Sequence, residues 1–112
     1  MINLNGSLLP NSQNIFKSGN RAFLYGDQLF VTLRFHDGKL LFWEEHYFRM
    51  MGGACMLRME IPQHLNIEFL ENEIIKTLKA SNLFECNSRV RLSFYRSDGG
   101  LYLPNNRSLE YL

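Results

Sequence analysis

The chain is 112 residues long, 46% hydrophobic and 21% charged, with nine Phe and five Tyr; a chain of this size buries about 60% or more of its unfolded surface in one core, which excludes two domains and intrinsic disorder. Twelve Lys plus Arg against eleven Asp plus Glu leave a formal charge of +1, too little to recruit a nucleic-acid backbone or an anionic membrane, so any anion site must be local. Cys55 and Cys86 lack C-x-x-C spacing, no basic-then-apolar leader opens the chain and no apolar run has membrane-spanning length, so reduced thiols, a cytoplasmic location, no metal site and no transmembrane segment are expected.

In chain order, Ile2 to Leu4 and Ser7 to Leu9 flank Asn5-Gly6, a dipeptide that tolerates the positive φ of a tight hairpin turn. Pro10 to Asn20, rich in Asn, Ser and Gly, predicts a loop. Leu29 to His36 is a β-branched and aromatic run, and Asp37-Gly38 turns it into a second short strand, Lys39 to Trp43. Alternation places Leu29, Val31, Leu33 and Phe35 on a core face and Phe30, Thr32, Arg34 and His36 on a mixed face, where Phe30 marks either a cleft or interface or the edge of the core.

Glu44 to Arg58 predicts a helix with acids in its first turn and an apolar stripe of Phe48, Met51, Cys55 and Met59. Gly52-Gly53 inside it costs about 0.8–1 kcal/mol per glycine relative to Ala, and calls for either close packing or a kink. Pro62 ends that segment; Asn66 is placed to N-cap a second helix to about Ser81, with Leu65 and Leu70 as a hydrophobic staple and Ile67, Leu70, Ile74 and Leu78 buried. Ser88 to Arg96 alternates as a strand, Val90, Leu92 and Phe94 opposing Arg89, Arg91, Ser93 and Tyr95. The sum is an α+β fold in two layers, an antiparallel sheet with two helices on one face.

The chain contains no G-x-S-x-G, H-E-x-x-H, GxxxxGK[ST] or helix-opening G-x-G-x-x-G, which removes the commonest hydrolase, metalloprotease and nucleotide-binding machines. His36, His46 and His64 show no ligand spacing. Arg49, one turn into the first long helix beside His46, is compatible with a solvated arginine or with a guanidinium forked onto a phosphate or carboxylate. Arg91 shares its strand face with Arg89, Ser93 and Tyr95, either a wet face or an anion site walled by Tyr95, Tyr25 and Phe30. The aromatic spacing of RNA-binding sheets is absent.

The order of Asn5-Gly6, Asn20-Arg21-Ala22-Phe23-Leu24-Tyr25-Gly26-Asp27-Gln28-Leu29-Phe30-Val31-Thr32-Leu33-Arg34, Gly38-Lys39, Glu45-His46-Tyr47-Phe48-Arg49-Met50 and Arg89-Val90-Arg91 to Gly100 resembles the N-terminal small domain of the class IV aminotransferases. These are pyridoxal-phosphate enzymes that include branched-chain and D-amino-acid aminotransferases and 4-amino-4-deoxychorismate lyase. The resemblance covers nearly the whole chain, and Y-G-D-x-x-F-x-T-x-R followed by E-H-x-x-R is specific in combination. It implies that Arg49 contacts the cofactor phosphate, that Tyr25, Phe30 and Thr32 line the substrate pocket, and that Arg91 lies near a substrate carboxylate. An amino acid or aminodeoxychorismate as substrate and a homodimer are further implications, with no nucleic acid and no membrane.

Some positions depart from the pattern: Val31 replaces a common Glu, Gly52-Gly53 is unusual, and Leu101 stands in Ser97-Asp98-Gly99-Gly100-Leu101-Tyr102 where lyases often have arginine. The family's cofactor-bearing lysine and the acid facing the pyridine nitrogen come from a following domain. Lys17, Lys39, Lys76 and Lys79 match none of those contexts. Residues 1–112 are therefore expected to form the small domain, with no catalytic residue of their own and a C-terminal domain outside them. The competing expectation is a non-catalytic interaction or dimerisation module with the same fold.

Overall fold

The computed structural model describes all of residues 1–112. Ile2–Leu4 (β1) and Ser7–Leu9 (β2) form the opening hairpin, antiparallel around Asn5 and Gly6, which have φ of 50° and 89°. A short helix, Arg21–Tyr25 (α1), leads into Gln28–His36 (β3) and Lys39–Leu40 (β4). Two 14-residue helices follow, Trp43–Met56 (α2) and Ile67–Ala80 (α3), and the chain closes with Ser88–Arg96 (β5) and Leu109–Tyr111 (β6). The sheet order is β4-β3-β5-β6, antiparallel throughout, beside the separate β1-β2 hairpin.

The two-layer α+β architecture arises from alternation in the central strands. Val31, Leu33 and Phe35 of β3 and Leu92 and Phe94 of β5 point to one face, where they meet Met50 and Ala54 of α2 and Leu70, Ile74 and Leu78 of α3 in one core. Asn66 caps α3 as expected, its side chain accepting from Phe69 N at 2.8 Å, and Leu65 and Leu70 are both buried. Capping satisfies one of the orphan amides of the first turn, and the staple fixes the approach of the chain.

Two expectations change, and the alternative left open at Gly52-Gly53 resolves to close packing. The strand Lys39 to Trp43 stops at Leu40, because Phe42 takes a left-handed conformation (φ 55°) that turns the chain so that Trp43 becomes the first residue of α2. Starting the helix there rotates its buried stripe to Trp43, Tyr47, Met50 and Ala54, leaving Phe48 and Cys55 exposed and Met51 half-buried. The glycine pair does not break α2. A Cβ on Gly53 would come within 3.0 Å of Leu29 Cδ1, whereas one on Gly52 meets nothing within 4 Å; Gly53 therefore permits close approach of α2 to β3.

Candidate functional site

The stretch from Asn20 to Phe30 builds the corner of the site. Asn20 caps α1 by accepting from Phe23 N at 3.2 Å, and Gly26, at φ 64°, ends it with its N–H on Ala22 O at 3.1 Å. Only after that reversal does Asp27 turn inward. Its Oδ2 accepts from Nε of Arg21 at 3.1 Å and from Nε of Arg96 at 2.9 Å, with both arginine side chains almost wholly buried. A carboxylate shared by two guanidiniums satisfies the rule that buried charges are paired.

Each arginine then uses its remaining nitrogens on backbone. Arg21 donates to the carbonyls of Gly99, Leu101 and Tyr102, and Asp98 accepts from Arg21 N and Asn20 Nδ2, both at 3.2 Å. Arg96 donates to Leu57 O at 2.6 Å and to Arg58 O at 3.4 Å, carbonyls just past the C-terminus of α2, where a cation suits both the orphan acceptors and the helix dipole. Thus Asp27 ties α1, the start of β3, the end of α2 and the 98–102 loop together. That loop sets Tyr102 edge-on to Tyr25 at 6.1 Å, with the Arg21 guanidinium 5.0 Å from the Tyr25 ring centre.

The sheet face away from the helices carries the polar side of the strands. The β3–β5 register sets Phe30 across from Ser93, Thr32 from Arg91 and Arg34 from Arg89, and all of these except Ser93 are exposed. Arg91 lies diagonally over Phe30 with its guanidinium carbon 3.8 Å from the ring centre, and its Nε donates to Ser93 Oγ at 3.3 Å. Stacking and that bond hold the guanidinium in place and leave its two terminal nitrogens available to a carboxylate.

The sequence-predicted residues therefore separate into groups. Phe30, Thr32 and Arg91 come together on one open face, whereas Tyr25 packs at the corner just described, against Tyr102 and Arg21. Tyr95 does not join this wall: Phe16, from the loop ahead of α1, packs edge-on against it at 5.3 Å, and it is buried. Burial and the Glu110 carboxylate push its hydroxyl well above the ordinary tyrosine range. Arg49 stands on α2, exposed, with Nη2 3.2 Å from His46 Nδ1, in a shallow recess bounded also by Phe42 and Glu45. No carboxylate pairs with it, so a terminal phosphate fits its donor set.

A cavity of about 350 Å³ lies between α3 and the edge of β5 that β6 leaves unpaired, and Arg89, Arg91 and Ser93 share in lining it. Beside it Asn3 donates to Glu73 Oε2 at 2.8 Å and to Thr77 Oγ1 at 3.0 Å, and Lys76 Nζ donates to Glu73 Oε1 at 2.9 Å. Burial opposes ionisation of Glu73, but the bonds from Lys76 and Asn3 outweigh it and hold the carboxyl below its ordinary value. Burial and that carboxylate push Tyr111 up to about 12. This cluster fastens the opening hairpin to α3, and its Asn3, Glu73 and Thr77 line the same cavity as Arg89 and Arg91.

Asp27, Arg21, Arg96 and Asp98 were not foreseen as a unit. Their partners lie 69 to 81 residues away for the cross-chain bonds, so no local period announces them. The available signal was a charged residue directly after a helix-ending glycine.

A family model described as amino-transferase class IV matches residues 28–111. A putative branched-chain-amino-acid aminotransferase of Methanocaldococcus jannaschii is 30% identical over 102 residues, which are 91% of this chain and 34% of that protein. The aminodeoxychorismate lyase of Bacillus subtilis is 28% identical over 95 residues, 83% of this chain and 31% of its own length. Among solved structures, the branched-chain amino acid aminotransferase of Escherichia coli superposes with a TM-score of 0.79 at 19% identity, covering 96% of this chain and 37% of that one. Another branched-chain amino acid aminotransferase, solved with pyridoxamine 5'-phosphate, superposes with a TM-score of 0.82 at 24% identity and the same coverage of 96% and 37%. The chain spans about a third of the length of the relatives it matches.

Proposed function

The chain belongs to the amino-transferase class IV family, and from that premise we propose that it is the N-terminal small domain of a pyridoxal-phosphate-dependent aminotransferase or aminodeoxychorismate lyase. In this role it supplies phosphate and substrate contacts, while the cofactor-bearing lysine belongs to a further domain. The observation that carries this reading is the Phe30–Thr32–Arg91 cluster: a guanidinium stacked on an aromatic ring, its outer nitrogens free, on an exposed part of the sheet face.

The roles follow from chemistry. Arg91 presents a planar fork to a substrate carboxylate, and a Lys there would lose both the stack and the bidentate geometry. Phe30 and Tyr25 give apolar walls that displace water from the bound substrate, and Thr32 adds a hydroxyl on the same face, directly across from Arg91. Arg49, unpaired by any acid, holds the cofactor phosphate. When bound, the cofactor supplies an electron sink for the carbon next to the substrate nitrogen. The lysines support a division of labour: Lys76 is spent on Glu73 and Gly6 O, and Lys79 lies 4.9 Å from the Phe84 ring centre.

Titrating the isotopically labelled chain with pyridoxamine phosphate tests this reading. Resonances of Arg49 are expected to shift saturably, and Arg49→Ala to weaken binding about tenfold, the equivalent of one charge-assisted hydrogen bond. Binding of equal strength in the variant would refute the assignment, and steady transamination by the chain alone would refute the division of labour.

A second reading, an interaction or dimerisation module, draws on a different feature. Phe23, Leu101, Tyr102 and Leu103 are each about four-fifths exposed, an apolar group large enough to seek a cover. Sedimentation separates the readings, since a chain that stays monomeric at high concentration removes self-association through that surface.

A further inference from the structure

Asn5-Gly6 is the only asparagine–glycine pair in the chain. It forms the two-residue turn of the opening hairpin, with Asn5 exposed and both residues at positive φ. Glycine has no side chain to shield its amide nitrogen, so that nitrogen can reach the side-chain amide carbon of the asparagine before it. Attack there closes a five-membered ring, an intramolecular step favoured by proximity. The fold acts on both partners of that step. Tyr111 N–H donates at 2.8 Å to Asn5 Oδ1, the oxygen on which negative charge grows during attack. Gly6 N–H donates to Asn3 Oδ1 at 2.8 Å, and an amide bonded in this way holds its proton. Asn3 is buried and is itself fixed by Glu73 Oε2 and Thr77 Oγ1. The nearest charges, Glu73 and the Lys76 ammonium on Gly6 O at 3.0 Å, are paired with each other.

We infer that Asn5 is a site of spontaneous deamidation, restrained by the Asn3–Gly6 bond. Gly6 N gives its proton to water and bonds to Asn5 Cγ. The Cγ–Nδ2 bond breaks, and Nδ2 takes up a proton and leaves as ammonia. Water then opens the cyclic imide at either carbonyl, which leaves an aspartyl or an isoaspartyl residue at this position; nothing is oxidised or reduced. The isoaspartyl product routes the backbone through the former side chain and lengthens it by a methylene, for which a two-residue turn has no slack. It also turns the oxygen that accepts from Tyr111 N into a main-chain carbonyl. The bonds that join the turn to β6, Asn5 N to Tyr111 O at 3.0 Å and Tyr111 N to Asn5 Oδ1 at 2.8 Å, depend on the unaltered geometry. Deamidation therefore unfastens the opening hairpin from the sheet, and the buried Asn3 side chain sets how fast that happens.

The full chain, aged in mildly alkaline buffer with and without urea and then digested, is followed by mass spectrometry, with the isoaspartyl product separated by chromatography. In urea Asn5 is expected to convert ahead of Asn11 and Asn87, each of which precedes a serine; conversion no sooner than those two removes the site. In buffer the unaltered chain is expected to convert several-fold more slowly than in urea. Equal rates in the two overturn the restraint without relying on the fold of any variant. Asn3→Ala is expected to raise the rate in buffer about fivefold, the equivalent of one neutral hydrogen bond. Thr77→Val loosens the anchor of Asn3 but leaves the Asn3–Gly6 bond in place, so its rate stays that of the unaltered chain. No acceleration in Asn3→Ala, or an equal acceleration in Thr77→Val, overturns the role given to Asn3. The purified isoaspartyl chain is expected to exchange the Tyr111 amide faster, and unchanged protection there overturns the unfastening of the hairpin.

Discussion

Asp27→Asn is the perturbation whose consequence is most directly set by the structure. The variant keeps the shape of the side chain but removes the charge that Arg21 and Arg96 share at 3.1 and 2.9 Å. The three side chains are only 14%, 3% and 7% exposed, so the pair is not a screened surface bridge. Removing one partner of a buried ion pair costs about 3–5 kcal/mol. The amide oxygen still accepts one of the two Nε donors, which returns about 1 kcal/mol, leaving an expected loss of about 2–4 kcal/mol against a total stability of roughly 5–15 kcal/mol. Urea unfolding followed by the fluorescence of Trp43, the single tryptophan and a buried one, measures it. Hydrogen exchange adds a local readout at the Arg21 amide, whose N–H is held by Asp98 of the loop that Arg21 anchors. A loss below about 1 kcal/mol, the range of exposed bridges, with unchanged exchange at Arg21, would refute the view that Asp27 is the junction.

Other outcomes follow from single contacts. Gly52→Ala, into open space, is expected to stabilise the chain by about 0.5–1 kcal/mol through helix propensity, while Gly53→Ala gains less or loses because its Cβ meets Leu29 Cδ1 at 3.0 Å; thermal unfolding of the pair checks both. Glu73, whose carboxyl is held below its ordinary 4.5, stabilises the fold above that pH, and this contribution is lost as pH falls through the lowered value. Glu73→Gln is expected to flatten the acid limb of a stability–pH profile. Tyr111, raised from 10.0 to about 12, acts in the opposite direction: its contribution is complete below pH 10 and is lost as pH climbs towards 12. Tyr111→Phe should therefore lessen the alkaline loss in the same profile.

Much of the fold was legible because the core strands and α3 obey their periods. Alternation in 29–36 and 88–96 identified the inward faces, and Asn66 with Leu65 and Leu70 marked the start of α3. The α2 stripe was misplaced because one non-glycine residue, Phe42, adopts positive φ, a conformation uncommon for a bulky side chain and set by tertiary packing rather than by propensity. β6 escaped for lack of length: three residues carry too little alternation to stand out. On the site, Phe30, Thr32 and Arg91 could be placed on one face from parity once β3 and β5 were paired. Tyr95 shows the limit of parity, since it shares that face yet lies beneath Phe16, and a loop folding over a sheet leaves no periodic trace.

The Tyr25-Gly26-Asp27 turn joins the two kinds of order in this molecule. Gly26 supplies the left-handed residue that ends α1, Asp27 then draws Arg21 and Arg96 inward, and the strand that starts at Gln28 inherits its register from that anchorage. Because successive strand residues alternate faces, a slip of one residue would move Phe30 and Thr32 into the core and Val31 and Leu33 to the open face. The buried junction thus has a consequence beyond stability: it fixes which side chains of β3 stand opposite Arg89 and Arg91. On that basis Asp27→Asn should disturb the Phe30–Arg91 stack even though neither residue touches Asp27. A loss of the ring-current shift on the Arg91 side chain would report it.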